Sequence, residues 1–256
     1  MKKYIILTII SLAAIVSTQA QEYKISKSSG KLNIKIPSVT VEGYDGNEIV
    51  FRSEKKLQEE DPRAKGLSAI NGAGNVDNTG LGISVLDKGT TIDVVPVTGN
   101  LAIKILVPKG IAISYSYHNV INVGKVVFRN IESEIESTTD HNKVELDNVS
   151  GPVTVNALYG SVDAKFSDRI KGPISIASIH STVDVAIPVT TAADVKLSAK
   201  HGTILASSEL KIAIEKKAGE EDMISYGGNA VNGKLNGGGF QLKLNAEFGK
   251  IYLRKK

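Results

Sequence analysis

The 256-residue sequence has no cysteine and no tryptophan, and aromatic residues make up only 5% of it. Without cysteine there is no disulfide, no thiolate nucleophile and no lipid anchor of the kind that is built on a cysteine. Scarce large rings argue against an ordinary globular core. Stacked valine and isoleucine, whose stiff rotamers fit strands, suit a narrow interior better. Catalytic signatures are missing as well. There is no Gly-x-Ser-x-Gly elbow and no His-Glu-x-x-His helix. Gly228 to Lys234 fits the first seven positions of a phosphate-binding loop, but Leu235 stands where a Ser or Thr must hold magnesium. A basic stripe interleaved with aromatics, as single-stranded nucleic acid requires, is also absent. The formal charge of +4 includes Lys2 and Lys3. The basic end Arg254-Lys255-Lys256 reads as a device that discourages edge-to-edge strand pairing.

Residues 1–20 read as a secretory signal. Lys2 and Lys3 precede an apolar stretch from Tyr4 to Val16, and Thr18-Gln19-Ala20 offers small residues flanking a cleavage point. The apolar run is too short for a membrane span, so none is expected in the mature chain. The expected location is the periplasm, the cell surface or the medium, with no lipid anchor through cysteine.

From Gln21 onward the dominant pattern is strand-like alternation: Leu32, Ile34 and Ile36; Ile103, Ile105 and Val107; Val153 and Val155; Ile174 and Ile176; Val183, Val185 and Ile187; Leu242 and Leu244. Each set lines one face of a strand. Gly151-Pro152 and Gly172-Pro173 fall where strands begin after a corner. An internal repeat organises these strands. His118-Asn119-Val120-Ile121, His141-Asn142-Lys143-Val144, Tyr159-Gly160-Ser161-Val162, His180-Ser181-Thr182-Val183, His201-Gly202-Thr203-Ile204 and Phe248-Gly249-Lys250-Ile251 align, and their second positions advance by 23, 18, 21, 21 and 47 residues. Such a period predicts an all-β, single-stranded β-helix or β-solenoid with rungs of about 18–23 residues. The expected layout is a signal at 1–20, an N-terminal β-region at 21–110 with a polar loop at 54–79, and solenoid repeats at 111–256 with a glycine-rich loop at 218–239.

All four histidines occupy the same corner position. Register would place His118 over His141, and His180 over His201, about 4.8 Å apart, with Tyr159 between the pairs and Phe248 at the far end. Three readings follow: a stabilising stack of flat side chains, an ion shared by two imidazoles, or a ligand-facing ladder comprising His118, His141, Tyr159, His180, His201 and Phe248. Adjacent charged imidazoles would repel, which predicts a loss of stability below about pH 6. Asp163 and Asp184 share an offset of three residues from the corner and Asp147 has five. The column does not continue as acid if Thr203 and Lys250 follow, so a catalytic carboxylate pair is disfavoured.

The run Val107-Pro108-Lys109-Gly110, then Asn236-Gly237-Gly238-Gly239, Leu242-Lys243-Leu244 and Gly249-Lys250-Ile251-Tyr252-Leu253-Arg254-Lys255, resembles the "putative adhesin" family of bacterial β-strand-repeat proteins over roughly residues 100–256. Members close on a similar Asn-Gly-Gly-Gly segment and a final Asn-Gly-x-Ile-x-Leu strand. Here the family's Asn-Gly corners become His-Asn, His-Ser, His-Gly or Phe-Gly. The resemblance implies an exported β-solenoid with no established activity. The sequence therefore supports a non-enzymatic envelope protein without cofactor, metal or nucleic-acid partner, which binds an extended polysaccharide or an envelope protein. The alternatives are a scaffold that self-associates through solenoid edges and, behind it, a polysaccharide lyase or hydrolase.

Overall fold

A computed structural model describes residues 22–55, 61–99, 101–215 and 229–256. The signal segment expected at 1–20 lies outside them, as do parts of both expected loops. Described residues contain no α-helix; two short 3-10 turns occur at Pro62–Ala64 and Ser208–Leu210. None of their helices is long and apolar enough to cross a membrane.

The strands are β1 (Glu22–Ile25), β2 (Ser29–Ile34), β3 (Val39–Tyr44), β4 (Ile49–Ser53), β5 (Ile83–Asp87), β6 (Thr91–Pro96), β7 (Ile103–Pro108) and β8 (Gly110–Tyr117), followed by β9 (Lys125–Arg129), β10 (Ile135–Thr139), β11 (Lys143–Val149), β12 (Val153–Ala157), β13 (Val162–Phe166) and β14 (Ile174–Ser178). The chain ends with β15 (Val183–Ile187), β16 (Ala193–Ala199), β17 (Thr203–Ala206), β18 (Ala213–Ile214), β19 (Asn229–Leu235), β20 (Phe240–Ala246) and β21 (Lys250–Lys255). They form two large mixed sheets, which do not close into a barrel. One runs β1-β4-β7-β3-β9-β11-β13-β15-β21-β17, and the other runs β18-β19-β16-β20-β14-β12-β10-β8-β2-β6-β5.

From β8 to β15 the chain alternates between the sheets, and each strand pairs in parallel with the next of its own sheet. Columns of like residues result: Ile113, Ile135, Val153 and Ile174 in one sheet, and Val126, Val144, Val162 and Val183 in the other. All eight are buried and belong to a hydrophobic cluster that extends from Leu32 to Leu253. Alternation explains the burial: every second residue of a strand faces the gap between the sheets and the residues between them face out. The ends of the stack depart from the parallel pattern. Antiparallel pairs β1–β4, β4–β7 and β5–β6 occur at one end, and β16–β19 and β18–β19 at the other.

Two differences from the sequence expectation are informative. Residues 229–235, expected within a loop, form β19, with Val231, Gly233 and Leu235 opposite Leu197, Val195 and Ala193. From Asn229 onward the phosphate-loop look-alike is thus a strand. Its alternate residues face the core, and that alternation is hidden by the surrounding glycine and asparagine. Second, the last two strands do not stack at the end. β20 lies between β14 and β16, and β21 between β15 and β17. Chain order and stacking order part company there.

Ile176 is buried between Val155 and Leu244. Ile176→Ala is expected to lower stability by about 2–5 kcal/mol in urea unfolding. Thr154→Ala, on the exposed face of the neighbouring strand, is expected to stay within about 0.5 kcal/mol.

Candidate functional site

The corner that leads from one sheet to the other carries the repeated rings. Its geometry starts with the backbone. The Tyr159 amide donates to the Asp140 carbonyl at 2.6 Å, His180 to Leu158 at 2.9 Å, Phe248 to Ile179 at 2.8 Å and His201 to Glu247 at 2.7 Å. Each ring residue thus binds the carbonyl that precedes the ring of the neighbouring rung. That repeated bond leaves successive rings little choice but to lie flat on one another. Centroid separations are 4.8 Å for His141–Tyr159, 4.8 Å for Tyr159–His180, 5.1 Å for His180–Phe248 and 4.8 Å for Phe248–His201, with interplanar angles of 24°, 10°, 8° and 13°. Five rings make one continuous ladder. Tyr159 and Phe248 remain 49% and 52% exposed, so the ladder is a surface feature and not part of the core.

Glycine after the ring permits this closeness. A Cβ at Gly160 would lie 1.9 Å from the Asn142 carbonyl oxygen, at Gly249 1.8 Å from that of Ser181, and at Gly202 1.7 Å from that of Gly249. The obstacle is backbone in each case and cannot swing away.

Of the six residues the sequence put forward, five join the ladder and His118 does not. Its Nδ1 pairs with Asp140 Oδ1 at 2.9 Å. The 23-residue step before His141 carries extra loop, and Asn119 Oδ1 accepts from the amides of Ile121 and Asn122, folding that loop on itself. The expected His180–His201 contact is also replaced, because Phe248 enters between them. No two imidazoles of the ladder are neighbours. An ion shared by adjacent imidazoles, and the loss of stability below about pH 6 expected from their mutual repulsion, therefore lose their geometric basis. Among the described residues no group of three or more His, Asp or Glu is placed to hold a metal ion.

Beneath the start of the ladder, Asn142 is fully buried. Its amide donates to Tyr115 Oη at 2.9 Å and to the Pro37 carbonyl at 2.5 Å. Burial pushes the Tyr115 hydroxyl well above its ordinary range, with Tyr117 adding to the effect and the Asn142 bond opposing it. This polar knot ties the first ladder corner to the N-terminal region.

A second column runs along the outer face of the sheet that follows the corner. Glu145, Asp163 and Asp184 are in register, and the column continues as Tyr252 and Leu205, not as Lys250 and Thr203. Glu145 was legible in the sequence, since it stands three residues after Asn142, the offset shared by Asp163 and Asp184. Each carboxylate is committed to cations. Glu145 binds Lys125 at 2.9 Å and Lys143 at 3.0 Å, Asp163 binds Lys143 at 2.6 Å, and Asp184 binds Arg254 Nε at 2.7 and 3.0 Å. Burial raises the Glu145 carboxyl, but the hydrogen bonds from the two lysines outweigh it and hold the group below its ordinary value of 4.5. An open cleft of about 450 Å³ follows this column. Its acids are paired with bases rather than with each other, which is the wrong electrostatics for an acid–base couple of separated pKa values.

No family model matches the chain, and neither does any curated protein. Two solved structures are similar. One is a "putative cell adhesion protein" from Clostridium sporogenes, 14% identical, with a TM-score of 0.44 over 93% of this chain and 100% of that one. The other is a "putative adhesin" from Bacteroides fragilis, 8% identical, with a TM-score of 0.31 over 94% and 98%. Likeness at these values assigns neither a site nor an activity.

Two outcomes test the site's construction. Gly202→Ala should cost about 1–3 kcal/mol in thermal or urea unfolding, whereas Gly72→Ala, with open space around its Cβ, should be near neutral. For the acid column, Glu145 is depressed in the folded state, so its stabilisation is present above the unfolded value and lost as pH falls through the folded one. The stability gap between the wild type and Lys143→Met should therefore be fullest above about pH 5 and shrink toward about pH 3. A gap that stays constant over that range would show that these pairs do not govern acid stability.

Proposed function

We propose that the protein is an exported, non-enzymatic β-solenoid of the bacterial envelope that binds an extended polymer along the ring ladder. The observation that carries this reading is the ladder itself. Five rings repeat at 4.8–5.1 Å on successive rungs, in the order imidazole, phenol, imidazole, phenyl, imidazole, and all but His141, which is partly buried, are exposed. A one-dimensional array offers a chain-like ligand the same contact at each step, so affinity accumulates with length. Because each ring covers the face of the next, the array presents ring edges. Such edges combine apolar C–H with imidazole nitrogen and phenol oxygen, a mixture suited to the hydroxyls and C–H surfaces of a polysaccharide. The alternation of β8 to β15 between two sheets supports the solenoid form, and the apolar stretch at 4–16 supports export. Carboxylates held by lysine and arginine support a binding role over polysaccharide cleavage.

Co-sedimentation of residues 21–256 with insoluble cell-wall and host-type polysaccharides tests the reading. Saturable capture is expected on at least one polymer, with at least a tenfold loss of affinity for a His180→Ala, His201→Ala double variant that retains the wild-type melting temperature. Absence of capture on every polymer, or capture indifferent to the double variant, would sink it.

A further inference from the structure

The position of the last rung points to something the ladder alone does not. β20 and β21 are inserted between two earlier rungs and make parallel ladders on both sides, with β14 and β16 in one sheet and β15 and β17 in the other. We propose that this C-terminal rung is exchangeable between molecules, so that residues 240–255 of one copy complete the stack of a second copy.

Three observations carry the proposal. The first is register. Ile174, Leu242 and Val195 share one column, and Val183, Ile251 and Ile204 share another. From Ile174 to Val195 the chain advances as far as from Val153 to Ile174. The rungs that flank the insert are therefore related by the ordinary repeat step. If the insert leaves, they can close on each other with the same residues facing inward, and His201 then stacks directly on His180. Departure opens a slot that can close or be refilled, and the sheet never has to shift register.

The second is the hinge. Between β19, which stays paired with β16, and β20 on the other side of β16, the chain has only Asn236-Gly237-Gly238-Gly239. Asn236, Gly237 and Gly238 have φ of +48°, +86° and +93°, the left-handed region that side chains disfavour. Asn236 Nδ2 donates to the carbonyls of Val189 and Thr191, both at 2.8 Å, and a Cβ at Gly239 would lie 2.5 Å from the Ala192 carbonyl oxygen. The hinge is a tight strap across the start of β16. Its glycines take extended conformations as readily as these left-handed ones, so the strap can straighten into an open connection without steric cost.

The third is chemistry. Leu242, Leu244, Ile251 and Leu253 of the last rung are all but fully buried, so a released rung requires apolar cover of a particular shape. A second copy offers the identical slot, with every hydrogen bond and contact preserved.

The absence of native cysteine makes the test clean. Lys243 is the register neighbour of Ser175, and all three side chains used here face outward. Full-length Ser175→Cys and Lys243→Cys proteins are mixed at rising concentration and then gently oxidised. A disulfide joining position 175 of one chain to position 243 of another, increasing with concentration, is the expected result. Thr154→Cys mixed with Lys243→Cys is the control, since those positions are two strand spacings apart, about 9.6 Å, beyond disulfide reach. A chain that carries both Ser175→Cys and Lys243→Cys must close its own disulfide. If it closes while the mixture gives no more cross-link than the control, exchange does not occur. If it fails to close, the last rung does not sit beside β14 and the proposal falls with it. A closed intramolecular disulfide without exchange leaves polymer binding by the ladder to be decided separately.

Discussion

Parallel, in-register backbone pairing is the constraint from which the remaining features follow. Once the amide of one ring residue is bound to the carbonyl preceding the next ring, the separation of those rings is set by strand spacing, close to 4.8 Å. The glycines at 160, 202 and 249 answer the same constraint, because backbone passes over backbone with no room for a Cβ. The core obeys it too. Valine and isoleucine columns recur because each rung covers the one before, and no single rung can bury its own apolar face.

Outside the core, register turns isolated surface residues into rows. Glu145, Asp163 and Asp184 form an acidic row only because their strands are aligned, and Lys125, Lys143 and Arg254 neutralise it from neighbouring rows. Individual pairs of this kind contribute little in water. Their combined effect is to keep like charges on successive rungs from opposing the stack. The ring ladder solves the same problem with neutral groups, since phenol and phenyl separate the imidazoles at each step.

Order in the chain and order in space diverge at both ends of the stack: β2 lies between β6 and β8 and β3 between β7 and β9, and the C-terminal rung is inserted in the same way at the other end. Its insertion puts Phe248 between His180 and His201 and so creates the unbroken run of five rings. The proposed binding surface and the closing of the fold are in this way the same event. The ladder is complete only when residues 240–255 are in place.

Much of this was legible in the residues. Two-residue alternation put Val153 with Val155, and Ile174 with Ile176, on one face of their strands, a face the structure turns inward, and the repeat at the corners placed His141, Tyr159 and His180 on consecutive rungs. Both are local signals, because side-chain direction on a strand depends only on parity and a corner recurs at the length of a rung. The exclusion of His118 was not legible, since it depends on how the loop after it folds back through Asn119. Nor was β19, whose alternation is diluted by glycine and asparagine. Least legible was the insertion of β20 and β21. The repeat step from His180 to His201 is chemically as good as the step from Tyr159 to His180, so nothing local forbids direct stacking. The sequence determined what each rung looks like; only the tertiary structure decided which rung lies on which, because parallel rungs of matching register are interchangeable partners and the choice is made by the connections between them.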